Sequence, residues 1–166
     1  MTVHSQSHSQ SLHAGLSGEL AAAAATEALR RAIDAGDAAG TAAALGHGAD
    51  ADAVWGENPS SPALVQAVAI GGASGRGMVR LLYQAGADGT LADEFGVTPW
   101  AATVKGEDLE MAALVLDHDS PQPLGDGTTV HTFLREPFVS EAMRQHVHRW
   151  LLEDDQAKFK KEEHEV

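Results

Sequence analysis

The chain has no cysteine, which excludes disulfides, a thiol nucleophile and cysteine-ligated zinc. Aromatic residues are also few, at 5%, and much of the 43% apolar content is alanine. Helices that pack closely through small side chains fit that mixture. Cations are scarce as well: 11 Lys+Arg stand against 24 Asp+Glu, a net charge of −13. A surface of that sign repels phosphate backbones and anionic membranes, so neither nucleic acid nor membrane is an expected partner, and a basic protein is. The same charge also serves solubility alone. No apolar run approaches the roughly 18 residues that a membrane helix needs. The opening MTVHSQSHSQSLHAG has neither the basic nor the apolar region of a leader, so a cytoplasmic protein is expected. The 166 residues suffice for one domain with a sizeable core.

What the chain does contain is paired signals for where helices stop and start. Residues 1–16 are mostly Ser, Gln and His, the composition of a disordered tail. From Glu19, ELAAAAATEALRRAIDAGD joins strong helix formers to Leu29 and Ile33 at i and i+4, and stops at Gly36. AAGTAAALGHGADADA reads as a second, shorter helix that ends near Gly46 to Gly48. Gly48-Ala49-Asp50 then lies 38 residues before Gly86-Ala87-Asp88, and Ser61-Pro62 lies 37 before Thr98-Pro99. A weaker third copy aligns Gly127-Thr128-Thr129 with Gly96-Val97-Thr98, with Val130 where proline would stand. A Ser or Thr caps the free N–H groups of a helix, and proline at the first helical position loses no hydrogen bond. A glycine closes a helix in the left-handed region. The stretch LLYQAGADGTLADEFGVTPWAA, residues 81–102, is therefore a helix end, a turn, an extended finger and a new helix start.

This order of signals resembles the ankyrin repeat, whose unit of about 33 residues combines a Thr-Pro-Leu-His-like helix start with a Gly-Ala-Asp turn. Trp100 and Ala101 occupy the Leu-His positions. The resemblance covers roughly three quarters of the chain and is most specific over 81–106. It implies an all-α solenoid of about four helix pairs, at 19–46, 61–85, 98–118 and 128–155, with β-turn fingers between them. The ankyrin-like domain is placed at 17–155, between an N-terminal tail 1–16 and a charged C-terminal tail 156–166 that continues helical. Three departures stand out: an extra residue near Pro59, a link GGASGRG at 71–77 that is longer than usual, and DHDSPQPLGDG in place of the third turn. Terminal units of such a stack turn a polar side outward. Glu27, Arg30, Arg31 and Asp34 serve that purpose in the first helix. In the last, Met143, Val147, Trp150 and Leu151 make an apolar stripe beside Glu141, Arg144, Gln145 and Arg149. Trp150 is read as core, and capped ends imply a monomer.

Nine histidines invite a metal or catalytic reading. His4, His8 and His13 fall in the tail, with no scaffold to fix a geometry. His146 and His148 are about 200° apart around a helix, whereas a chelating pair needs i,i+3 or i,i+4 spacing. His131 falls where the family has a helix-start histidine that hydrogen-bonds within its repeat, and His47 lies beside a glycine turn. No Gly-x-Ser-x-Gly, Walker-type or His-Glu-x-x-His motif occurs. Carboxylate pairs such as Asp93-Glu94 and Asp154-Asp155 are uninformative in so acidic a chain. The expectation is a non-catalytic protein with no metal and no cofactor.

The resemblance implies binding of a protein partner through finger tips and inner helices. The fingers are AVWGEN at 53–58 and ADEFG at 92–96, so Trp55, Glu57, Asp93, Glu94 and Phe95 are the candidate contact residues. Asp117, Asp119 and Asp126 extend an acidic edge from the third finger, with Arg76 and Arg80 on the opposite side. An exposed aromatic serves as an interface anchor; the competing reading folds Trp55 and Phe95 down onto the stack. A small acidic stack of this kind is similar to the ankyrin-repeat immunity proteins that block a toxin enzyme. An adaptor joining two proteins, or a histidine-dependent metal protein or enzyme, are the alternatives.

Overall fold

A computed structural model of the chain describes residues 6–57, 60–118 and 130–164, with side chains between 15 and 153. The described residues form an all-α protein with one minimal hairpin. The elements, in chain order, are α1 (Gln6–Asp34), α2 (Ala38–Gly46), β1 (Val54–Trp55), β2 (Ser61–Pro62), α3 (Ala63–Ile70), α4 (Gly72–Gln84), α5 (Pro99–Gly106), α6 (Leu109–His118), α7 (Val130–Phe133) and α8 (Glu141–His164). Strands β1 and β2 pair antiparallel, Val54 opposite Pro62 and Trp55 opposite Ser61.

Successive helices pack as pairs, α1 on α2, α3 on α4 and α5 on α6. The pairs then pack side by side: α3 touches both α1 and α5, α4 touches both α2 and α6, and α8 closes on α6. The pattern that drives this is visible in the sequence. Leu29/Ile33, Met78/Leu82, Met111/Val115 and Met143/Val147 are i,i+4 pairs, and each is essentially free of solvent. That spacing puts two large side chains on one helix face, and neighbouring helices bury them together.

Caps fix where most of these helices begin. Asp37 starts α2 by accepting the Gly40 N–H at 3.0 Å, and Thr98 starts α5 by accepting the Ala101 N–H at 3.3 Å, with Pro99 in the first turn. Removing the hydroxyl in Thr98→Ala is expected to lower stability by about 1 kcal/mol, readable as a shifted urea midpoint with unchanged slope. Ser61-Pro62 does not repeat this arrangement. Ser61 is held in the hairpin, Ala63 N–H donates to the Ala53 carbonyl at 2.9 Å, and Pro62 itself takes the cap position with no side-chain cap. A residue before proline is pushed towards extended backbone, and the strand pairing takes up that preference.

Two further expectations are corrected. Helix begins at Gln6, inside the segment 1–16 expected to be a disordered tail. Once the alanine-rich stretch has nucleated a helix, each added residue gains a hydrogen bond at little cost, so composition alone misplaces the boundary. The glycine-rich 71–77 stretch, expected as a link, is mostly the first half of α4. Only Gly71 connects α3 to α4, and it and Gly72 take φ of 67° and 59°, a left-handed corner suited to glycine.

The Gly-Ala-Asp turns are held from earlier in the chain, the first by α1 and the second by the turn that follows α2. Asp50 N–H donates to Thr26 Oγ1 at 2.9 Å, and Asp88 N–H donates to Asp52 Oδ1 at 2.7 Å. Each turn thus rests on a side-chain oxygen earlier in the chain, which fixes the fingers relative to one another.

Candidate functional site

The second finger is a tight loop built on one carboxylate. Asp93 Oδ1 accepts the N–H of Phe95 at 2.9 Å and of Val97 at 2.8 Å, while Asp93 N–H donates to the Val97 carbonyl at 3.0 Å. Gly96, at φ 75°, completes the reversal. This local bonding leaves Phe95 at the tip with 75% of its surface exposed. Ser60 ties the second finger to the first, its hydroxyl donating to Glu94 Oε1 at 2.6 Å.

The first finger treats its aromatic differently. Trp55 is half-buried and packs against the core, and its carbonyl accepts from Gln66 Nε2 at 3.1 Å. The same amide donates to the Ser61 carbonyl at 3.2 Å, so Gln66 of α3 pins both strands of the hairpin. Val54, beside Trp55, is the apolar side chain this finger exposes.

Between the fingers and the helices α3 and α5 lies a groove of about 770 Å³. Its floor is built at helical spacing: Val65, Gln66, Ala69 and Ile70 from α3, Ala102, Lys105 and Gly106 from α5. Gly56, Asp93, Phe95 and Val97 form the finger wall. A second groove of about 750 Å³ lies on α1 and α2, lined mainly by alanines. Arg31, Asp37 and His47 stand among those alanines but no exposed aromatic does, whereas the finger groove combines an apolar floor, the exposed Phe95 and one charge of each sign, Asp93 and Lys105. A smaller concavity of about 330 Å³ lies between α1 and the first finger, with Glu27, Arg30 and Asp50 beside Trp55.

The expected contact residues therefore divide. Asp93 and Phe95 line the finger groove. Glu57 and Glu94 are exposed on the fingers, and Asp117 is exposed in the last turn of α6. Asp119 and Asp126 lie outside the described residues. The residues that the sequence reading did not single out are Val65, Ala69, Ile70, Ala102 and Lys105; helical periodicity over 63–70 and 99–106 would have grouped them once the helix bounds were known.

Most described arginines are engaged in ion pairs. Arg30 reaches Glu27 at 2.7 Å and Asp34 at 2.9 Å. The Arg30 hydrogen bond holds the Glu27 carboxyl down to about 2, with Arg31 adding to the effect. Hydrogen bonds from the Thr90 hydroxyl and N–H lower the Asp88 carboxyl likewise. Arg76 joins α4 to α6 through Asp108 at 3.1 Å and Glu110 at 2.8 Å. Lys105 makes no ion pair with the described residues.

The histidines are dispersed. His131 and His148 stack with ring centres 5.8 Å apart, His118 stacks on Tyr83 at 4.3 Å, and His47 Nδ1 lies 2.6 Å from the Ala43 carbonyl. Among the described residues no group of three or more His, Asp or Glu is placed to hold a metal ion. No helix among them is long and apolar enough to cross a membrane.

Comparison with models of known protein families finds no match for this chain, and comparison with curated proteins finds none either.

Proposed function

We propose that the chain is an ankyrin-type stack of helix pairs that binds a protein partner through the groove between its fingers and its inner helices α3 and α5. One observation carries the reading: Phe95, three-quarters exposed, is held by Asp93 over an apolar groove floor. A large aromatic left wet on a locked loop gains free energy only when something covers it. The spacings of 38 and 37 residues between matching turns and helix starts support the repeat reading, as does the packing of each helix on its counterpart in the next pair. The net charge of −13 favours approach of a basic partner. Blocking a toxin enzyme is the form of binding that the resemblance to immunity proteins suggests. Joining two proteins is the alternative form.

The test uses purified wild type and Phe95→Ala as baits in lysate of the native cells, with captured proteins quantified by mass spectrometry. Because Phe95 contributes little to the core, both should melt alike. A basic protein captured by the wild type should bind the variant with a loss of about 2 kcal/mol, roughly thirtyfold in affinity. Equal capture by both would remove the groove from the proposal.

A further inference from the structure

We infer that the groove takes a partner segment of consecutive apolar side chains that ends in a carboxylate, and that Lys105 receives this carboxylate. The inference rests on the groove reading above and adds the chemistry of the occupant.

Two charged side chains line the groove, Asp93 and Lys105. Asp93 belongs to the finger wall, and its Oδ1 is already engaged by two backbone N–H groups. Lys105 lies in the last turn of α5, seven residues beyond the Thr98 cap and so roughly 10 Å further along the helix axis. No carboxylate among the described residues pairs with it, although Glu107 and Asp108 follow closely in the chain. Its contribution to α5 itself is a favourable position at the negative end of the helix dipole.

The floor is mainly apolar: Val65, Ala69 and Ala102, with Ile70 exposed at 44%, while the Gln66 amide N–H groups are taken up by the Trp55 and Ser61 carbonyls. A partner segment laid from the finger towards Lys105 meets Phe95 and the apolar floor first and a free ammonium last. Apolar side chains followed by an acidic group match that order. A basic group at the same place would face Lys105 directly, and like charges brought together under a covered groove are unfavourable. The net negative charge of the chain acts over the approach and is screened within about 8 Å at physiological salt, whereas the contact itself is decided by the side chains at hand. A partner that is basic overall and presents an apolar, acid-ended segment satisfies both.

Three short synthetic peptides with amidated C-termini test this, sharing a Leu-Ile-Leu core and ending in Glu, Gln or Lys, so that only the first carries a terminal carboxylate, with affinity read by fluorescence anisotropy. Wild type should prefer the Glu peptide over the Lys peptide by roughly tenfold, with Gln between them. Lys105→Met should level the three, and Lys105→Glu should reverse the order. A thermal melt of each variant confirms that the fold is intact. Equal binding of all three peptides by wild type, with loss in Phe95→Ala, overturns the acidic terminus and leaves the groove reading standing. Binding unaffected by Phe95→Ala overturns both. No binding of any peptide at millimolar concentration overturns the inference, while the groove reading is judged by the capture comparison.

Discussion

Trp100→Ala is expected to cost about 3–5 kcal/mol, the range for removing a buried aromatic, and so to leave a domain of ordinary stability close to unfolded at physiological temperature. The side chain is 3% exposed and stands on α5 with its ring centre 5.5 Å from that of Phe133, tilted by 55°. Phe133 in turn meets Phe138 edge-on at 5.7 Å, so this one indole joins the central helix pairs to the last. Its loss opens a cavity on both sides of that joint. Trp100→Phe separates size from polarity. The Trp100 indole Nε1 is buried with no hydrogen-bond partner among the described residues, a deficit of about 1–3 kcal/mol that phenylalanine does not carry. The phenylalanine variant should therefore lose much less than the alanine variant. Urea denaturation followed by far-UV circular dichroism reads both. A cost below about 1 kcal/mol for Trp100→Ala would mean that the joint is not held by this packing.

What the sequence made legible were the points where the chain changes direction. Gly48 and Gly86 take φ of 85° and 89°, and a position of that kind has few alternatives to glycine, so it is readable without a structure. Thr98-Pro99 is readable for the same reason, since cap and proline both act within one turn. Ser61-Pro62 shows the limit: the same dipeptide class sits in a strand pair because Gln66, five residues on, holds the hairpin through two backbone carbonyls. That outcome depends on a contact outside the local window. The fate of the two finger aromatics was open for a similar reason. Trp55 packs against the core, and Phe95 lies on a loop whose own hydrogen bonds hold it at the finger tip, outside the core and beside the groove.

The groove was legible only in half. Its finger wall is contiguous in sequence, and Asp93 and Phe95 stood out there as a carboxylate and an aromatic among small residues. Its floor comes from two helices more than thirty residues apart, and alanines and valines carry no mark that separates a groove floor from a core. Lys105 was overlooked because a lone lysine in a helix is ordinary. It becomes distinctive only through its place: Arg80, Arg135 and Arg149 also make no ion pair among the described residues, but Lys105 is the cation that lines the finger groove.

Gly75→Val is expected to lower stability by about 3 kcal/mol, the upper part of the range for overpacking. A Cβ built at Gly75 would stand 2.8 Å from the Ala67 carbonyl oxygen and 3.4 Å from both the Ile70 carbonyl carbon and the Met111 Cε. The carbonyl belongs to the backbone of α3 and cannot swing aside, so α4 must lift away from α3, loosening the buried Met78 and Leu82 on the same helix. Helix propensity works in the other direction, since any side chain in place of glycine reduces the entropy lost on folding by about 0.5–1 kcal/mol. At Gly75 the clash outweighs that gain. Two residues later the balance reverses, because a Cβ at Gly77 would meet only the Ala38 Cβ, at 3.6 Å, an ordinary contact. Gly77→Ala should therefore raise stability by about 0.5–1 kcal/mol. Opposite signs from two glycines of one helix, read as urea midpoints, would follow from close approach of α4 to α3. Stabilisation by both substitutions would mean that Gly75 is not pressed against α3, and that the glycine-rich stretch serves the chain reversal at Gly71 alone.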